Sequence, residues 1–156
     1  MDERATRRAR LLDMYYFHYE CEFCNLPSSN AVAESDAARL ELKRWSQKSY
    51  RMPHEWCPNL SLPDNYLVDG HKHCIELYER EGIVNGDYAT HMGELTMVYG
   101  MLGDEENFRL WGQRAMETYE ILKAPEGAEM WKYWLVDPQE RFQIWGSRIA
   151  QRHRRR

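Results

Sequence analysis

The sequence predicts an all-α protein built from antiparallel helical hairpins, with an irregular, cysteine-bearing segment near its N-terminus. Three observations carry this. Apolar residues recur at intervals of three and four in three successive stretches. The connections between those stretches are only two to four residues long, which forces neighbours to run antiparallel. No segment alternates apolar and polar residues well enough for a strand.

In chain order, residues 2–14 combine strong helix formers with no Gly or Pro, and Asp2 and Glu3 come before Arg4, Arg7, Arg8 and Arg10, as the helix dipole favours. A short leading helix follows from this. The next stretch, Tyr15 to Pro27, is dense in aromatics, follows neither period and contains Cys21 and Cys24. Ser28-Ser29-Asn30 is expected as loop, with Ser35 or Asp36 capping a helix through about Tyr50 whose Ala38, Leu42 and Trp45 share a face. Pro53, Pro58 and Pro63 make residues 51–63 a proline-rich linker. The domain plan is therefore 1–50, the linker, and a helical region over 64–156.

Within that region Leu67, Gly70, Cys74 and Leu77 form the stripe of a helix over about 64–81. Tyr88, Met92, Leu95, Tyr99 and Leu102 form one over about 86–102, and Phe108, Trp111, Ala115, Thr118 and Leu122 one over about 104–123. Gly103 is placed as a C-terminal cap and Asp104 as the next N-cap. Gly93, Gly100 and Gly112 lie inside these helices, each at a cost of about 1 kcal/mol relative to Ala. Close packing of another helix over each is the expected reason. Beyond Pro125, Met130, Trp131 and Trp134 mark a helix ending near Asp137-Pro138, and residues 139–152 supply the last one, interrupted at Gly146. Small residues among large aromatics, in helices of this length joined by tight turns, suggest a tetratricopeptide-like unit, although a period of about 34 residues is not clearly repeated.

Composition excludes several functions. The chain has 156 residues, 43% of them apolar, and a mean hydropathy of −0.79. That is enough for one core, and no run reaches the roughly 18–20 apolar residues of a membrane span. The ends carry +2 (residues 1–10) and +5 (148–156) of a total of −4, which leaves −11 on residues 11–147. An acidic body of that size repels phosphate, so no nucleic acid is expected on the folded part. The terminal Arg-rich cluster, residues 152–156, suits an acidic partner or a nuclear address, with a frayed, solvated tail as the plainer expectation. Four cysteines and no hydrophobic leader point to a reducing compartment, cytoplasmic or nuclear.

Chemistry-bearing motifs are few. Cys21-Glu22-Phe23-Cys24 is a C-x-x-C pair, the spacing at which a tight turn brings two thiolates onto one zinc ion. Two cysteines that simply stay reduced fit equally well. His18, Cys57, His71, His73 and Cys74 are further ligands by residue type alone. His71-Lys72-His73-Cys74 lies in a helix, where residues two apart face away from each other, so it cannot chelate as a unit. Cys74 falls on the apolar stripe and is expected in the core. No nucleophile elbow, phosphate-binding loop or dinucleotide motif is present.

Thr6-Arg7-Arg8-Ala9-Arg10-Leu11-Leu12, then Tyr16-Phe17-His18-Tyr19-Glu20-Cys21-Glu22-Phe23-Cys24-Asn25-Leu26-Pro27, then Glu34-Ser35-Asp36-Ala37-Ala38-Arg39, together resemble the post-SET segment of SET-domain proteins, most closely the SET-and-MYND-related group abundant in fungi. Leu102-Gly103-Asp104, Ala115, Asp137-Pro138 and Trp145-Gly146 are similar to that group's C-terminal helical region of tetratricopeptide type. The resemblance implies a lysine-methyltransferase-like protein whose cysteine turn binds zinc with a fourth cysteine from the SET domain, and whose helical region covers the substrate cleft or binds a protein partner. This chain departs from the pattern twice. The family's three cysteines are reduced to Cys21 and Cys24: either Tyr19 stands at the first position, or two residues have been lost. The SET domain, with its S-adenosylmethionine site and catalytic tyrosine, is not in the sequence. His54-Glu55-Trp56-Cys57-Pro58-Asn59 echoes that domain's N-H-S-C-x-P-N only superficially, since it follows the cysteine turn and lacks the leading Asn. Neither catalysis nor S-adenosylmethionine binding is expected of the chain itself. The alternative is a free-standing tetratricopeptide-like interaction module with no methylation role.

Overall fold

In the computed structural model, residues 3–16, 25–48 and 52–154 are described. Among them the structure is all-α, without strands. The helices are α1 (Arg4–Tyr15), α2 (Ser29–Ser46), α3 (Met52–Trp56), α4 (Asn65–Arg80), α5 (Gly86–Leu102), α6 (Glu105–Ile121), α7 (Pro125–Val136), α8 (Pro138–Arg141) and α9 (Ser147–Arg154).

Helices α4 to α7 form the body, each packed on its sequence neighbour. Their ends follow from local chemistry. Asn85 caps α5 by accepting from the Tyr88 amide at 3.0 Å, and Asp104 caps α6 by accepting from the Asn107 amide at 3.0 Å. Gly103 closes α5 in the left-handed conformation, φ 72°. Pro125 starts α7 at a position where no intrahelical amide is needed.

The expected stripes face inward. Leu67, Cys74 and Leu77 of α4, Tyr88, Met92, Leu95 and Tyr99 of α5, and Phe108, Trp111, Ala115 and Thr118 of α6 are all buried. The interior glycines have the predicted reason. A Cβ on Gly93 would stand 2.9 Å from the Trp131 ring, and one on Gly112 2.9 Å from Leu135, both on α7. One on Gly100 would meet Phe142 at 2.5 Å. Phe108, Phe142, Trp134 and Trp131 continue as a chain of tilted and edge-on rings with centroids 5.1–5.4 Å apart, joining α6, α7 and the turn after α8.

Three expectations are corrected. Helix α2 begins at Ser29, not near Ser35: Ser28 is the cap, accepting from the Ala31 amide, so a segment expected as loop is the first turn. Ser35 is instead buried and donates to Glu81 at 2.6 Å, where Arg39 also pairs at 2.9 Å, tying α2 to the end of α4. The span 139–152 is interrupted at Gly146 as expected, but more widely than at one residue: α8 ends at Arg141, and residues 142–146 lie between it and α9. Gly146 takes φ 63° and its amide donates to the Gly100 carbonyl at 2.8 Å, which splits the span into α8, a turn and α9.

The third correction concerns residues 152–154, the described part of the basic end, which are exposed as expected but helical rather than frayed. α9 runs to Arg154, and Arg152 pairs with Asp64 at 2.8 Å. Just before it, Arg148 is wholly buried. Its Nε donates to Asp64 at 2.7 Å, its other nitrogens to the carbonyls of Trp56, Cys57, Asn59 and Leu62, and its guanidinium lies 4.0 Å from the Trp56 ring centroid. The Pro53–Pro63 stretch thus carries a short helix, α3, and wraps its carbonyls around one arginine.

Candidate metal centre

Helices α4 and α5 lie side by side and bring His71, His91 and Glu94 together. His71 falls on the buried side of α4, four residues after Leu67 and three before Cys74. His91 and Glu94 are one turn apart on α5, whose sides are nearly all covered. One donor atom from each residue lies within 4.8 Å of the other two. His71 Nδ1 is 3.1 Å from His91 Nδ1 and 3.6 Å from Glu94 Oε2.

The surroundings are enclosed. Both histidines are fully buried, the Trp45 ring of α2 lies 6.0 Å from His71, and the Tyr78 ring of α4 lies 5.7 Å from His91. Burial, helped by the neighbouring His91, pushes the His71 pKa down to about 3. Burial also lowers His91, to about 4, with Asp87 pulling the other way. Both rings are therefore neutral at pH 7, so the Nδ1–Nδ1 contact is a hydrogen bond in which one ring donates and the other accepts. Neutral imidazoles and a carboxylate are also the forms in which these side chains ligate metals. The three residues can hold a metal ion.

The residues singled out in the sequence are distributed differently. Cys21, Cys24 and His18 lie outside the described residues. His71 is in the cluster. His73, two residues on, is exposed and pairs with Glu41 at 3.0 Å, as the helical geometry predicted. Cys74 is a core residue, and burial pushes its thiol up to about 12. Cys57 is half-buried beside Ser147 and Gln151. Sequence reasoning missed His91 and Glu94. The signal that could have found them was the pairing of His-x-x-Cys on one helix with His-x-x-Glu on the next, two donor pairs at one-turn spacing.

No family model, curated protein or solved structure matches the chain. Among the described residues, no helix is long and apolar enough to cross a membrane.

Proposed function

We propose that the chain is a non-catalytic helical scaffold: the post-SET and C-terminal helical portion of a SET-domain protein of the lysine-methyltransferase type. In this reading it covers a substrate cleft or presents a surface to a protein partner, in the cytoplasm or nucleus. The observation that supports it is the sequential stacking of α4, α5, α6 and α7, each hairpin packed on the next. Such a stack offers continuous faces rather than a reaction chamber. The Cys21-x-x-Cys24 turn takes zinc in this reading, and S-adenosylmethionine has no place on the chain.

A free-standing tetratricopeptide-like interaction module is the second reading. It is favoured by large apolar side chains left in water on α6 and α7, namely Leu110, Ile121, Tyr133 and Val136.

Transcripts extending upstream of Met1 test the first reading. An in-frame segment encoding a SET domain is expected; its absence, with no zinc lost on replacing Cys21 and Cys24 by Ser, favours the free-standing module. Calorimetric binding of S-adenosylmethionine, or methyl turnover by the isolated chain, would overturn both.

A further inference from the structure

The seam between α4 and α5 holds more than a packed core requires. Two aliphatic residues would fill the space of His71 and His91 without desolvating four ring nitrogens, and buried polar groups without full pairing are costly. His71 Nε2 is buried with no hydrogen-bond partner among the described residues. Both Nδ1 atoms instead point into one small space, which they share with a carboxylate from the next turn of α5.

Two of the three separations in that trio are those of ligands. Bonds of about 2.0–2.1 Å around a tetrahedral centre separate the donor atoms by roughly 3.3 Å. His71 Nδ1 stands 3.1 Å from His91 Nδ1 and 3.6 Å from Glu94 Oε2, one distance on each side of that value. The third separation, from His91 to Glu94, lies within 4.8 Å, and drawing that edge in would bring all three onto one ion. Two imidazoles with one carboxylate select a borderline d-block cation, since magnesium and calcium prefer oxygen ligands.

We infer that His71 Nδ1, His91 Nδ1 and Glu94 bind a single divalent ion of zinc type, which staples α4 to α5. Three protein ligands leave a fourth position for water. Ligation uses both Nδ1 lone pairs, so the ring that carries the shared proton passes it to its own Nε2 and no net proton is released. Three ligands and a water is the arrangement of catalytic zinc, but closure from solvent gives this ion a structural role. Both histidines are closed off from solvent, and the unfolded chain has no preassembled site, so binding adds directly to the stability of the folded state. The site uses neither Cys21 nor Cys24 and does not depend on the scaffold reading.

The test uses the chain of residues 1–156, stripped of metal and titrated with zinc chloride by calorimetry, with cobalt chloride as the optical probe. One equivalent is expected to bind, raise the melting temperature and persist after Cys21 and Cys24 are both replaced by Ser and after His73→Ala. Glu94→Gln keeps the side-chain shape and is expected to fold, as checked by circular dichroism, while its zinc affinity falls roughly tenfold or more. His91→Asn should abolish the cobalt spectrum. Absence of bound zinc in the folded wild-type chain would overturn the assignment. So would loss of that equivalent with the cysteine or His73 variants, or unchanged affinity in a folded Glu94→Gln protein.

Discussion

Trp111 lies on the inner side of α6 with Phe108, Ala115 and Thr118, and the Arg114 guanidinium covers its ring 4.4 Å from the centroid. Removing the indole leaves a cavity beside Phe108, Ala115 and Thr118. Trp111→Ala should therefore cost about 3–5 kcal/mol, measured by urea unfolding. A change of a few tenths would place the ring in water. The buried histidines make a second prediction, for metal-free protein. Free imidazole titrates at 6.5, whereas His71 is held at about 3 and His91 at about 4. Between pH 6.5 and about 4 the unfolded chain binds protons at these positions that the native state refuses. Stability is thus complete above 6.5 and falls with decreasing pH, by about 1.4 kcal/mol per pH unit for each histidine at full effect. Asp87 opposes the loss at His91 without reversing its sign. Urea midpoints from pH 7 to 5 should show the decline, flattened in His91→Asn; equal slopes in both proteins would place the proton uptake elsewhere.

Interior glycines act at the scale of whole helices, because they set how closely two helix axes approach. Gly93 lets α7 bring Trp131 against α5, and Gly93→Ala should cost about 1–3 kcal/mol through overpacking, despite alanine's better helix propensity. At Gly86, in the first turn of the same helix, an added Cβ would meet nothing within 4 Å, so Gly86→Ala should stabilise by about 0.4–1 kcal/mol. Opposite signs in one helix, read as melting-temperature shifts, separate contact from propensity. Most of these helices were legible in the sequence, since α4, α5 and α6 each bury a continuous stripe and have Gly, Asn or Asp at their ends. α2 was legible only in part. Ser28 and Ser35 are equally good caps by residue type, and the choice was made by Glu81, 46 residues away from Ser35, which draws that hydroxyl into the interior.

At the scale of the whole molecule, Arg148 joins the last helix to the residues before α4. Its guanidinium satisfies four carbonyls and Asp64 at once, so truncation leaves several buried acceptors unpaired. Arg148→Ala should cost about 3–5 kcal/mol. Arg148→Lys should recover little, because an ammonium cannot reproduce the planar fork. Both are measurable as urea midpoints, and a lysine variant of near wild-type stability would show that charge alone suffices. In the sequence Arg148 is one of several arginines in a basic end, with nothing local to set it apart.

The same division runs through the protein. Helical class, hairpin order and the inward faces were written in the spacing of apolar residues, because that periodicity is a property of each helix alone and a burial requirement acts on every turn. Which histidine meets which, whether an arginine is solvated or enclosed, and where a serine caps depend on partners 20 to 92 residues away. Those pairings exist only once α4 lies against α5 and α9 has closed over the proline-rich stretch, so the tertiary structure decided them.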